Sequence, residues 1–149
     1  GYSLGGRQTV RAIVRGARPR RIAIVGMGLK PIVDVAPSTD WCIETVRNAD
    51  AHARGSEEYF AIQFMKTNKV DPAAAIHLLN AQVDSALADV EAMAQPALVL
   101  CGAEDHYNAE AFRLSETLPN ATWVEIPGTH MSSVTRPELG SSLADFFAA

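Results

Sequence analysis

Cysteine is nearly missing from this chain, which carries only Cys42 and Cys101 in 149 residues. Two thiols cannot build a disulfide scaffold, and Cys101 falls in an apolar run where a free, buried thiol is the ordinary reading. There is no C-x-x-C, and His52, His77, His106 and His130 are scattered, so no metal-ligand spacing is present and neither metal nor cofactor is expected. Long apolar runs are also lacking: no stretch approaches the roughly 18 uninterrupted apolar residues of a membrane span. No basic-then-apolar leader with a cleavage site opens the sequence. The expected location is the cytoplasm, with no membrane partner.

Acids are absent from residues 1–30, which hold six Arg and one Lys, whereas the remainder holds all 17 acids and brings the net charge to −4. A basic segment can serve nucleic acid, but no aromatic side chains interleave with these arginines to stack on bases. Arg7, Arg11, Arg15 and Arg18 recur at helical spacing opposite Val10, Ile13, Val14 and Ala17. That is the solvated face of an amphipathic helix, and nucleic acid is not an expected partner.

What the sequence does contain is ordered. Apolar residues make up 48% of it, enough for one domain-sized core. Residues 4–16 read as a helix stopped near Gly16 and Pro19. Ile22–Val25 and Ala97–Cys101 are short, continuously apolar runs, the pattern of strands covered on both faces in a parallel sheet. Residues 121–126 alternate, with Trp123 and Glu125 on one side and Thr122, Val124 and Ile126 on the other, as an outer strand does. Asn108 is placed to cap a helix carrying Ala111, Leu114 and Leu118 on one face, ended by Pro119 and Asn120. Thr135 and Glu138 form a capping-box pattern before a last helix with the apolar stripe Leu139, Leu143, Phe146 and Phe147. Alternation of strands and helices predicts parallel βα units and an α/β fold.

Strand signals vanish between residues 30 and 95. Asp40, Ser56 and the Asp71-Pro72 pair read as helix starts, and Ile76, Leu79 and Val83 share a face. These residues predict an inserted helical cap, with Trp41, Tyr59, Phe60, Phe64 and Met65 giving it bulk. The expected organisation is a core of residues 1–29 and 96–149 with a cap of residues 30–95.

The residues that carry chemistry are Ser3, Asp105 and His130. Ser3 sits in Gly1-Tyr2-Ser3-Leu4-Gly5, a G-x-S-x-G sequence, where flanking glycines suit a nucleophile on a sharp strand-to-helix turn. Such a pattern arises by chance in about one chain in twenty of this length, so its weight comes from Asp105, which ends an apolar run, and His130, which follows another. Serine, acid and histidine in that order fit a hydrolytic triad. Taken singly, each residue has a plainer reading: Ser3 as a helix N-cap, Asp105 as a cap or turn residue, His130 as a loop histidine.

The blocks Gly1–Gly6, Pro96–Asp105 and Pro127–Leu139 resemble the C-terminal half of the α/β-hydrolase superfamily, close to its capped bacterial esterase and haloperoxidase members. The resemblance implies a partial α/β-hydrolase fold: a parallel three-stranded sheet with flanking helices and an inserted helical cap. It implies Ser3 as nucleophile, His130 as base and Asp105 as the acid, with Asp34 the alternative because some relatives place the acid after the preceding strand. It also implies the Leu4 backbone amide as one oxyanion donor, with a second from a loop upstream of Gly1. Serine rather than aspartate at position 3 speaks against the dehalogenase and epoxide-hydrolase branches. The implied activity is hydrolysis of a carboxylic ester or related small-molecule acyl substrate. A non-catalytic binding module, an acyltransferase and a cofactor-free perhydrolase are the alternatives on the same residues. The chain reads as the C-terminal part of a longer protein, with Val10, Ile13 and Val14 expected to be partly uncovered and a homo-oligomer expected.

Overall fold

A computed structural model describes residues 1–149, and its backbone divides into two compact units, residues 1–33 with 85–149, and residues 34–84. The first unit is built on three parallel strands, β1 (Ile22–Val25), β2 (Ala97–Gly102) and β3 (Ala121–Ile126), in the order β1-β2-β3. Ile22 pairs with Ala97, and Ala97 in turn with Ala121. Every residue of β1 and β2 is buried, as their unbroken apolar runs predict.

Alternation along the strands sorts side chains onto two faces. Ile22, Ile24, Ala97 and Val99 pack with Val10 and Ile13 of α1 (Leu4–Val14), Val90 of α6 (Leu87–Glu91) and Leu114 of α7 (Phe112–Thr117), with Trp123 against them. Ala23, Val25, Leu98, Leu100 and Ile126 face the other way, against Leu139, Leu143 and Phe146 of α8 (Pro137–Ala148). Residues 1–3 run beside β1: Tyr2 bridges Val25 in parallel, and the Val25 amide donates to Gly1 at 2.9 Å.

Several local expectations are corrected. Val10 and Ile13 are buried rather than partly uncovered, and only Val14 is half-buried. Arg7 is 4% exposed and belongs to the buried side of α1 rather than to its wet face. Thr135 closes a 3-10 turn over Ser133–Thr135, and α8 starts at Pro137 without a side-chain cap, so the capping box does not form. Phe147 is exposed, which narrows the buried stripe of α8 to Leu139, Leu143 and Phe146.

The second unit holds three helices, α3 (Ala36–Arg47), α4 (Glu57–Thr67) and α5 (Pro72–Asn80). Ser56 and Asp71 cap α4 and α5, accepting from the Tyr59 and Ala73 amides. Asp40 does not start a helix; it lies inside α3, which begins at Ala36 with Pro37 in its first turn. Ile43 and Ile62 are buried here, Phe60 and Phe64 are half-exposed, and Val83 lies beyond α5 and is exposed. Residues 30–33 form a short helix, α2, that packs with the sheet unit, as do residues 85–95.

Candidate active site

Because the strands are parallel, their C-terminal ends all open on one side of the sheet, and the loops after β2 and β3 meet there. The two loops are laced together: the Ala103 amide donates to Ile126 at 2.8 Å and the Glu104 amide to Gly128 at 3.1 Å. Their approach is close enough that a β-carbon on Gly102 would lie 2.2 Å from the Gly128 carbonyl oxygen. This contact sets Asp105 and His130 side by side.

Ser3 reaches the same point from the other direction. Its amide donates to Val25 at 2.8 Å, and α1 begins at the next residue, so a single residue turns the chain from strand-like pairing into helix. Its backbone pays for this with φ 52° and ψ −121°, a region that L-residues adopt at a cost of about 1–3 kcal/mol. The glycines serve the turn unequally. A β-carbon on Gly1 would lie 2.2 Å from the Gly5 carbonyl oxygen and one on Gly6 would press on Ile24 and Met27 at 3.2 Å, whereas Gly5 faces open space. The second glycine of the motif is therefore not the one the packing requires; Gly6 is.

The three side chains form one hydrogen-bonded line. Ser3 Oγ lies 2.9 Å from His130 Nε2, and His130 Nδ1 lies 2.7 Å from Asp105 Oδ2. The Asp105 carboxylate can only accept, so Nδ1 carries the ring proton and Nε2 is left to accept from the serine. Ser3 makes no side-chain cap bond to α1, which removes the N-cap reading. Asp105 keeps both of its readings: Oδ1 accepts from the Asn108 amide at 3.2 Å at the 3-10 turn His106–Asn108, while Oδ2 faces the imidazole. Asp34 is not among the partners of His130, and His106 is exposed. The Leu4 amide is the first of α1, among the helix amides that have no intrahelical acceptor.

The Asp105 side chain is fully buried and that of His130 is 17% exposed. Burial by itself would raise the Asp105 pKa, but the hydrogen bond and charge of His130, with further hydrogen bonds from Cys101 and Asn108, outweigh it and hold the carboxyl below its ordinary value. Burial, and then the Asp105 charge, push the Cys101 thiol upward, so it stands as a neutral donor 3.3 Å from Asp105 Oδ2. Tyr2 supports the histidine from below: its hydroxyl donates to the His130 carbonyl, lies 2.9 Å from Ser133 Oγ, and its ring centroid is 5.5 Å from the imidazole. Tyr107 meets the imidazole edge-on at 6.0 Å.

Three of these contributors escape sequence reasoning. Asn108 does not cap a helix, since α7 begins at Phe112; it is buried and hydrogen-bonded to Asp105 and Gly28. Cys101 reads as a strand thiol, and Tyr2 as the variable residue of the motif. For Tyr2 a signal exists, because any side chain directly before the serine must face the sheet's other layer, where α8 and the histidine loop pack.

No protein-family model matches the sequence, and no curated protein matches it. Solved structures do. The chain superposes over its full length on an α/β-hydrolase enzyme from a Medee basin deep-sea metagenome library, with a TM-score of 0.74 at 18% identity. The esterase of Exiguobacterium antarcticum gives 0.76 at 14% identity, and the enol-lactonase of Burkholderia xenovorans 0.65 at 20%, each again over 100% of this chain. The chain spans 64–65% of the length of these three proteins. The likeness establishes a partial α/β-hydrolase fold for residues 1–149.

Proposed function

We propose that the protein is a serine hydrolase acting on a carboxylic ester or related acyl substrate, with Ser3 as nucleophile, His130 as general base and Asp105 as the group that orients it. The reading stands within the α/β-hydrolase fold, and one observation carries it: the only non-glycine residue besides Lys69 with positive φ is Ser3, and its hydroxyl lies on His130 Nε2. A serine that needs only to cap a helix has no reason to hold such a backbone.

A serine hydroxyl is a weak nucleophile at neutral pH. In the proposed cycle Ser3 Oγ attacks the acyl carbon while His130 Nε2 takes its proton, and Asp105 stabilises the resulting imidazolium. The Leu4 amide donates to the developing oxyanion, a contribution for which one donor is typically worth about 10² to 10³ in turnover. The imidazolium then protonates the leaving alcohol, and water, activated by the same nitrogen, releases the acid and restores Ser3. Residues 34–84 are proposed to be the inserted cap of this fold.

The test is covalent. A fluorophosphonate probe should label the protein, as its gene encodes it, at Ser3, and p-nitrophenyl ester turnover should fall by several orders of magnitude in Ser3→Ala and by about 10⁴ in Asp105→Asn. Labelling that persists unchanged in Ser3→Ala would sink the assignment, and a larger loss in Asp34→Asn than in Asp105→Asn would move the acid's role to Asp34.

A further inference from the structure

Asn108 sits between two groups of opposite hydrogen-bonding character. On one side the Gly28 amide, which can only donate, lies 3.0 Å from Asn108 Oδ1. On the other the Asp105 carboxylate, which can only accept, has both oxygens 3.2 Å from Asn108 Nδ2. These partners fix the orientation of the side-chain amide without ambiguity. The Asn108 backbone amide donates a further bond to Asp105 Oδ1 at 3.2 Å, and the residue is 8% exposed.

A carboxamide is the group that can serve both neighbours at this length. Leucine, of similar shape, would strand a backbone donor and leave the carboxylate short of partners, and aspartate would set two carboxylates against each other. Asp105 Oδ2 receives His130 Nδ1–H and the Cys101 thiol, yet neither fixes the rotation of the carboxylate about its own axis. Asn108 does, since it grips both oxygens at once. Its other end is tied to the segment after β1, Gly26–Gly28, which is held to β2 by the Gly26 amide on Leu100 at 2.8 Å. The acid is thus referenced to the sheet through a side chain and not only through its own loop.

We propose that Asn108 is a positioning residue of the site, the clamp that keeps Asp105 Oδ2 on His130 Nδ1 by anchoring the carboxylate to the Gly28 amide. The proposal rests on the hydrolase reading for its effect on turnover, but not for its effect on the histidine. In Asn108→Leu the Asp105 carboxylate keeps the backbone amide of residue 108 on Oδ1 but loses the side-chain amide that grips both oxygens and its tie to Gly28. The carboxylate is then held less firmly, so the His130 Nδ1 proton exchanges more readily with solvent and the Ser3–His130 line loosens. Turnover of a p-nitrophenyl ester falls by about 10², the scale of a small misplacement of reacting groups, with KM expected to stay unchanged because Asn108 is buried.

The deciding readout is the low-field proton resonance of His130 Nδ1–H, followed in the unsubstituted protein, Asn108→Leu and Asn108→Ser, with Asp105→Asn as the reference for its loss. Serine is short enough to fit and too short to span from Gly28 to Asp105, so it serves if the leucine variant fails to fold. Loss or exchange broadening of the resonance in a folded Asn108 variant is the expected result. A resonance unmoved from that of the unsubstituted protein overturns the proposal, whatever the turnover, because a merely structural residue would leave it in place. Absence of Ser3 labelling and of ester turnover in the unsubstituted protein would sink the hydrolase reading instead, and the resonance would still judge Asn108.

Discussion

Ser3 combines a strained backbone with a well-placed hydroxyl, and the two can be separated by substitution. Glycine accepts φ 52° without the β-carbon clash that alanine suffers, while giving back part of the gain as unfolded-state entropy. Ser3→Gly is expected to be more stable than Ser3→Ala by about 1 kcal/mol, read from urea midpoints, with both devoid of turnover; an alanine variant of equal or greater stability would show that the turn is relaxed. Asp105 carries a prediction of its own. Its native pKa lies below the ordinary value, near 3.9 for an unfolded aspartate, so between the two the unfolded chain binds a proton that the native one does not. The stability Asp105 contributes is complete above about pH 4 and disappears as pH falls through the native pKa. On acidification from about pH 7 to pH 3 the protein should therefore lose more stability than Asp105→Asn does, and equal losses would rule the linkage out. Ser3 was singled out by its glycine-flanked motif, and Asp105 and His130 by their places after apolar runs. Asn108 was not, because an asparagine before an amphipathic stretch looks like a cap and its partner Gly28 is 80 residues away.

Helices and strands were legible to different depths. The strands declared themselves through unbroken or alternating apolar runs, since covering by layers on both faces leaves no place for polar side chains. Helix starts were legible where a side chain itself does the capping. Ser56 and Asp71 do so; Thr135 does not, because the chain after His130 first makes a 3-10 turn that takes up Thr135 and leaves Arg136 at the cap position. Replacing Ser56 by alanine should cost about 1 kcal/mol, whereas Thr135→Ala should stay within about 0.5 kcal/mol. Thermal unfolding of the two variants side by side checks the pair, and a larger loss for Thr135→Ala would mean that the capping box operates in solution. The start of α3 at Ala36 went unread since its cap residue, Val35, offers no side-chain acceptor.

Across the whole molecule the chain leaves the sheet unit once and returns once, and the two passages lie side by side. The Ser85 amide donates to the Ile32 carbonyl at 3.0 Å, and just beyond, the Val35 amide donates to Asp84 Oδ1 at 2.8 Å. The second bond closes the helical unit on itself, so Asp84→Ala should loosen residues 34–84 by about 1 kcal/mol of local opening free energy while the sheet keeps its protection. Hydrogen exchange resolved by peptide measures this, and faster exchange in β1 or β2 would contradict it. Of this protein the sequence by itself determined the strands, their parallel arrangement and the helical excursion between them, and it singled out Ser3, Asp105 and His130, whose side chains meet in one hydrogen-bonded line, because apolar periodicity and local turn chemistry are written in neighbouring residues. Tertiary structure alone decided that Gly6 rather than Gly5 is the tight glycine, that Arg7 is buried, and that Cys101 and Asn108 attend the site. Each of those depends on which atoms a folded neighbour, distant along the chain, brings within a few ångströms, and no local pattern encodes that.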